Sequence, residues 1–232
     1  MTRILLKISG ESLKGARDFG IDPIAASKVA KTIQELRATG AQIAIVTGGW
    51  NIYRWGDLIQ AWMKPADSHN LSMLWTVING WALKNFLHNI DIPAVTMNSL
   101  DIKFDESYNK DIAKKYLEQW SVVICTGGTG TPYFSTDTGW VLRALELECD
   151  MMIKATKVDG IYDKDPMKHS DAKKFDSISY DEVLEKGLKI LDATAVCLAS
   201  ENTLPIKVVH MEQTSDIIAA INNEKIGSTI CK

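Results

Sequence analysis

Six short apolar runs, at residues 3–9, 42–47, 94–97, 121–126, 150–154 and 206–210, are rich in Ile and Val and mostly lack period-two alternation. A strand with one wet face alternates; a strand covered on both faces does not. Amphipathic stretches separate the runs, at 25–39, roughly 71–87, 109–119, 137–148 and 194–201. Strand–helix–strand order at these spacings predicts an α/β fold, a three-layer α/β/α sandwich around a mainly parallel central sheet. Right-handed crossovers would bring the strand carboxyl ends to one rim, where ligands of open α/β sheets bind. The 232 residues are about the upper limit for one hydrophobic core, so a single domain over 1–232 is expected.

Charge and spacing exclude several classes. A net charge of −3 argues against a nucleic-acid partner, which calls for a basic excess. The apolar run at 4–8 is broken by Lys7 and is too short for a signal peptide. No stretch approaches the roughly 20 apolar residues that span a bilayer. The expectation is a cytoplasmic protein with no membrane contact. Cys125, Cys149, Cys197 and Cys231 are scattered, and the histidines are equally dispersed, so neither a disulfide framework nor a protein-held metal site is expected.

Glycines follow three of the strands: Gly10, Gly48-Gly49, and Gly127-Gly128 with Gly130. Each cluster either makes a tight turn or lets backbone amides approach phosphate oxygens. Lys7 and Ser9 share one face of the first strand. Lys7 is either a solvated edge lysine or a cation that reaches a migrating phosphoryl group. Arg54 follows the second glycine loop, and its fork of donors suits a phosphate. In TGGTGTPYFSTD (126–137), Thr136 or Asp137 caps the next helix, or Asp137 orients Lys7 or a magnesium-bound phosphate. The stretch 154–166 mixes lysine, hydroxyl and aromatic groups, and by composition reads as a solvated turn. Residues 170–179 are the most polar stretch and are expected to form a surface loop.

KISGESLKG, GTGTPYFSTD, KATKVDGIYDKDP and YDEVLEKGLKILDATA, in this order, resemble the bacterial UMP kinases of the amino-acid-kinase family over nearly the whole chain. No P-loop signature GxxxxGK[ST] is present. The resemblance implies transfer of the ATP γ-phosphoryl to UMP in pyrimidine nucleotide biosynthesis, with Mg²⁺ accompanying ATP. It assigns catalysis to Lys7 and Asp137. It places Gly49, Trp50, Arg54, His69, Thr129, Thr131 and Thr136 on the UMP side. Lys7, Ser9, Gly10, Gly49, Thr156, Tyr162 and Asp165 fall on the ATP side, with residues from about 150 onward mainly ATP-binding. It further implies a homohexamer with GTP and UTP as possible effectors. Two alternatives remain: a nucleotide- or oxyanion-binding protein impaired in transfer, or a kinase of the same fold with a carboxylate or carbamate acceptor.

The chain departs from the family at Trp50, in place of the third glycine of GGGN, at His69, in place of an aspartate, and at Thr131, in place of asparagine. Trp50, Trp55, Trp62 and Trp120 fall where relatives tend to carry glycine. Trp75 and Trp140 fall where they tend to carry small residues. Six such aromatics would overpack a core, at about 1–3 kcal/mol each. The glycine-to-tryptophan pattern suits a gene in which UGA means glycine, read by a code in which it means tryptophan. A left-handed backbone at position 50, where glycine would be needed, is a further expectation.

Overall fold

The computed structural model describes residues 1–53 and 62–232. In chain order the elements are β1 (Arg3–Ile8), α1 (Gly10–Lys14), α2 (Pro23–Ala38), β2 (Gln42–Thr47), α3 (Pro65–His88), β3 (Ala94–Asn98), β4 (Glu106–Ser107), α4 (Lys110–Glu118), β5 (Val122–Thr126) and α5 (Thr136–Glu146). Then follow β6 (Met151–Thr156), β7 (Ile161–Tyr162), β8 (Lys174–Phe175), β9 (Ser177–Ser179), α6 (Tyr180–Glu185), α7 (Ala193–Glu201), β10 (Ile206–His210), α8 (Thr214–Ile221) and β11 (Ser228–Cys231).

One nine-stranded sheet runs in the order β4-β3-β5-β2-β1-β6-β10-β11-β9. Every pairing in it is parallel except β10 with β11. The six expected strands are its centre, each within two residues of its expected ends. Their continuous apolar character has the anticipated cause: both faces are covered. Leu5, Ala44, Val46, Val123 and Met152 face a layer formed by α4 to α7. Ile4, Leu6, Ile8, Ile43 and Ile45 face the opposite layer of α1, α2, α3 and α8. Burying each such side chain is worth about 1.5–3 kcal/mol, which makes the strand register hard to slip.

The helices follow local signals. Asp22 caps α2 by accepting from the Ile24 amide at 2.7 Å, with Pro23 in the first turn. Ala26, Val29, Ala30, Ile33 and Leu36 form its buried stripe. α3 begins at Pro65, ahead of the expected start near 71. Its first turns, PADSHN, have no apolar period and are set by the proline. The stretch 170–179 is not all loop: it holds β8, which pairs with β7 in a separate two-stranded sheet, and β9, which pairs with β11 at the edge of the large one, so strand partners rather than composition set its structure. Among the described residues no helix is long and apolar enough to cross a membrane.

Candidate functional site

A cleft of about 920 Å³ opens at the carboxyl rim of the parallel strands, within the size range of small-molecule sites. Its floor is built by strand register. β1 and β6 are parallel neighbours, and Lys7 stands directly beside Lys154. Each is the one lysine of its strand, so two ammonium groups converge on one spot. Asp137, in the first turn of α5, answers them. Its carboxylate forms a short contact with Lys7 and lies 3.4 and 3.5 Å from Lys154 Nζ. Lys154 also donates to the Ile190 carbonyl.

Ser135, not Thr136 or Asp137, caps α5. Its hydroxyl accepts from the Asp137 and Thr138 amides at 2.9 and 3.2 Å. That releases the Asp137 carboxylate to face the lysines. Asp192 braces the same helix end: it accepts from Ser135 and from Thr138 Oγ1, and it caps α7 through the Ala195 amide. The sequence reading missed both Lys154 and Asp192. Lys154 was signalled only as the sole charge of a mostly apolar strand. Asp192 was signalled as a carboxylate directly before a helical run.

The three groups perturb one another. Burial, reinforced by the Lys7 ammonium, pushes Lys154 down to about 8, with Asp137 and Asp192 opposing. Burial alone would raise the Asp137 carboxyl, but Lys7 and Lys154 outweigh it and hold it below its ordinary value. Asp137 is therefore ionised at neutral pH, and the cleft floor carries a positive excess without covalent chemistry.

The glycine loops close over this floor. A Cβ on Gly10 would meet Asn51 Oδ1 at 2.5 Å, the Gly48 carbonyl at 2.8 Å and the Trp50 amide at 2.9 Å. Only glycine lets the first two loops touch. Ser9 caps α1 beside them. Asn51 is a buried scaffold: it exchanges amide hydrogen bonds with Asn79, whose Nδ2 also donates to the Gly48 carbonyl at 2.6 Å. Gly127, Gly128 and Gly130 have φ of 76°, 58° and 78°, the left-handed region that favours glycine.

The cleft collects most of the expected site residues. Lys7, Ser9, Gly10, Gly49 and Trp50 line it, as do His69, Thr136, Asp137 and Thr156. The rings of His69 and Tyr133 pack 5.4 Å apart, and burial lowers the His69 pKa. Four expected residues are not part of the lining. Thr129 and Thr131 bond to each other across their own turn. Tyr162 donates to Asp159 at 2.6 Å. Asp165 accepts from the Met167 amide and pairs with Lys168. Local hydrogen bonding within short polar turns holds each of them. Arg54 and Trp55 lie outside the described residues.

The tryptophans correct the overpacking expectation. Trp50 and Trp62 are exposed, Trp120 is at the surface and Trp75 is half-buried; of these positions only Trp140 enters the core among the described residues. Trp140 is fully buried, with Nε1 donating to the Leu5 carbonyl at 3.3 Å, so its polar tip is satisfied. Trp50 is not among the residues with positive φ, so the backbone there does not require glycine. Trp120 is the reverse case. It has φ 63° at the end of α4, where its amide reaches the Leu117 carbonyl and the Ser121 amide reaches that of Tyr116. That is the Schellman arrangement, whose residue in this place is usually glycine.

The sequence profile described as the Amino acid kinase family matches residues 2–210. A protein named uridylate kinase from Xanthomonas campestris is 40% identical over 229 residues, spanning 98% of this chain and 95% of the relative. One of the same name from Legionella pneumophila is 41% identical, spanning 98% and 93%. Among solved structures, UMP kinase from Bacillus anthracis superposes with a TM-score of 0.94 at 28% identity, covering 99% of this chain and 96% of that one. UMP kinase from Ureaplasma parvum gives 0.91 at 31% identity, covering 100% and 99%.

Proposed function

Because the chain belongs to the amino acid kinase family, we propose that it is a UMP kinase, transferring the γ-phosphoryl group of ATP to UMP to give UDP and ADP. The observation that carries this reading is the pair Lys7 and Lys154 held around Asp137 at the floor of a glycine-walled cleft. The acceptor comes from the names of relatives that match almost end to end.

Phosphoryl transfer demands positioned positive charge more than covalent catalysis. Lys7 and Lys154 stabilise the equatorial oxygens of the migrating group. Asp137 holds both ammonium groups at a fixed spacing and takes no proton itself. Amides of the loops at Gly10 and at Gly48-Gly49 approach the phosphates of ATP. Arg54 anchors the phosphate of UMP, and His69 borders the acceptor end. Thr156 borders the ATP end, in the part of the chain from about 150 onward.

Among the described residues no three His, Cys, Asp or Glu side chains gather as a metal cage, and Asp137 is already committed to two lysines. Mg²⁺ would enter with the nucleotide, held chiefly by its phosphates and by water. There it supplies neutralisation of phosphate charge. A cytoplasmic homohexamer acting in pyrimidine nucleotide biosynthesis, with GTP and UTP as effectors, completes the reading.

A second reading is motivated by Trp50, whose half-exposed indole borders the cleft beside Gly49. Under it the chain binds both nucleotides without transfer. ADP release with UMP, CMP, dUMP and carboxylate or carbamate acceptors decides between them, run on the chain and on Trp50→Gly. UMP-dependent release by both supports the kinase. Binding of UMP and ATP with no release by the unaltered chain supports the second reading. Release with a carboxylate or carbamate instead of UMP overturns the choice of acceptor.

A further inference from the structure

Arg143 is a buried arginine that the chemistry above does not use. It lies in α5, six residues after Asp137, or about 9 Å along the helix axis. Only 6% of it is exposed, a costly place for a guanidinium unless its partners are fixed. Glu146 pairs with Nη1 one turn on, and the ring of Tyr108 lies 3.8 Å from Cζ. Among the described residues Nε has no partner, so the remaining hydrogen bond is distinctive: Nη2 donates to Ser99 Oγ at 2.9 Å.

Ser99 in turn reaches the third glycine loop. Its hydroxyl lies 2.9 Å from the Gly128 carbonyl and 3.1 Å from that of Thr126, and its amide donates to Thr126 at 3.0 Å. The loop is gripped twice more. Thr76 Oγ1 accepts from the Gly127 amide at 2.9 Å, and a Cβ on Gly139 of α5 would lie 3.3 Å from the Gly128 carbonyl carbon. Three left-handed glycines within four residues have no intrinsic preference for one shape, so these grips decide it. A hydroxyl has one hydrogen. With the guanidinium donating into its oxygen, the Ser99 hydrogen is committed to the loop carbonyls.

We propose that Arg143 is a positioning residue for the acceptor end of the cleft, acting through Ser99 on the loop at Thr126–Gly130. α5 then carries both settings: its first turn fixes the two lysines through Asp137, and its last turn fixes the wall that UMP lies against. The assignment of that wall to UMP rests on the kinase reading.

Ser99→Ala removes the link and leaves the Arg143–Glu146–Tyr108 stack; Arg143→Lys keeps the charge and loses the fork. Each is expected to raise KM for UMP about fivefold, the worth of one hydrogen bond. KM for ATP and kcat stay within about twofold, and the double variant is no worse than the poorer single one. In the protein without nucleotide, Ser99→Ala speeds hydrogen exchange across residues 126–131 about tenfold and leaves 42–47 unchanged. An unchanged KM for UMP in Ser99→Ala, or losses shared equally by UMP and ATP, overturns the proposal. If the unaltered chain shows no UMP-dependent turnover, the kinase reading has failed, and exchange alone decides: unchanged exchange at 126–131 overturns the Arg143 role.

Discussion

Asp137→Asn keeps the shape of the side chain and removes the charge between two ammonium groups. Deleting one partner of a buried ion pair costs about 3–5 kcal/mol, because the charge left behind is uncompensated. Here two charges are left, on Lys7 and Lys154, adjacent in register. The site has one way to relieve this. Lys154 already titrates at about 8 in the native protein against 10.5 ordinarily, and Asp137 is a cause that holds it up. Without that carboxylate its pKa falls further, and a neutral Lys154 no longer repels Lys7. The sign of the pH effect follows. A lysine with a lowered native pKa leaves the unfolded chain holding more protons, so stability rises with pH between the native and unfolded values. That window opens at about 8 in the native protein and lower in the variant. The destabilisation by Asp137→Asn is therefore largest near pH 6 and smaller at pH 8.5. It shrinks by about 1.4 kcal/mol for each unit by which Lys154 falls. Urea unfolding of both proteins at the two pH values measures it. A destabilisation that is the same at both refutes the electrostatic coupling of the three groups. In the same variant kcat is expected to fall by a factor on the order of 100 to 1,000, the loss typical of a misplaced charge stabiliser.

Three other outcomes follow. ATP phosphates beside Lys154 raise its pKa again, so ATP binding near pH 8 takes up part of a proton; calorimetry in two buffers of different ionisation enthalpy reads it, and zero uptake removes Lys154 from the phosphate contact. Gly10→Ala forces a Cβ against two backbone atoms of the second loop, so denaturation is expected to show a loss of about 1–3 kcal/mol with a raised KM for ATP; a neutral result refutes the loop contact. If Trp50, Trp55, Trp62 and Trp120 are decoded glycine codons, all four are UGA in the gene, and a UGG at any one of them counts against that origin; Trp120, at φ 63°, is the position where glycine suits the backbone best.

The central sheet was legible because burial on both faces writes a continuous apolar run, as in QIAIVT of β2, where every residue is buried. The edge was not. β4 and β9 at the two edges, and β7 with β8 in a separate two-stranded sheet, are two or three residues long, too short for their own residues to show a period. α6 and α8 are short for an 11-residue periodicity window, so Tyr180–Glu185 and Thr214–Ile221 passed unread. At the site, the glycine loops and Lys7 with Asp137 were readable from residue types. Lys154 was not singled out, because its meaning lies in a strand pairing: only the β1–β6 register places it beside Lys7. Arg143 was silent for the same reason, its partners coming from residues 99, 108 and 146. Tyr162 and Asp165 were expected at the cleft, yet local hydrogen bonds hold both in their own turns.

The chemistry depends on the Lys7 ammonium meeting the group in transit. Single-turnover quantification of UDP and ADP from UMP and ATP, on the chain and on Lys7→Ala, puts this to the test, alongside equilibrium binding of UMP. The expected result is UDP and ADP in equal amounts from the unaltered chain. Lys7→Ala should show a fall in turnover on the order of 100-fold or more while UMP affinity stays within about twofold. Near-normal turnover by Lys7→Ala, or ADP formed without matching UDP, contradicts the mechanism.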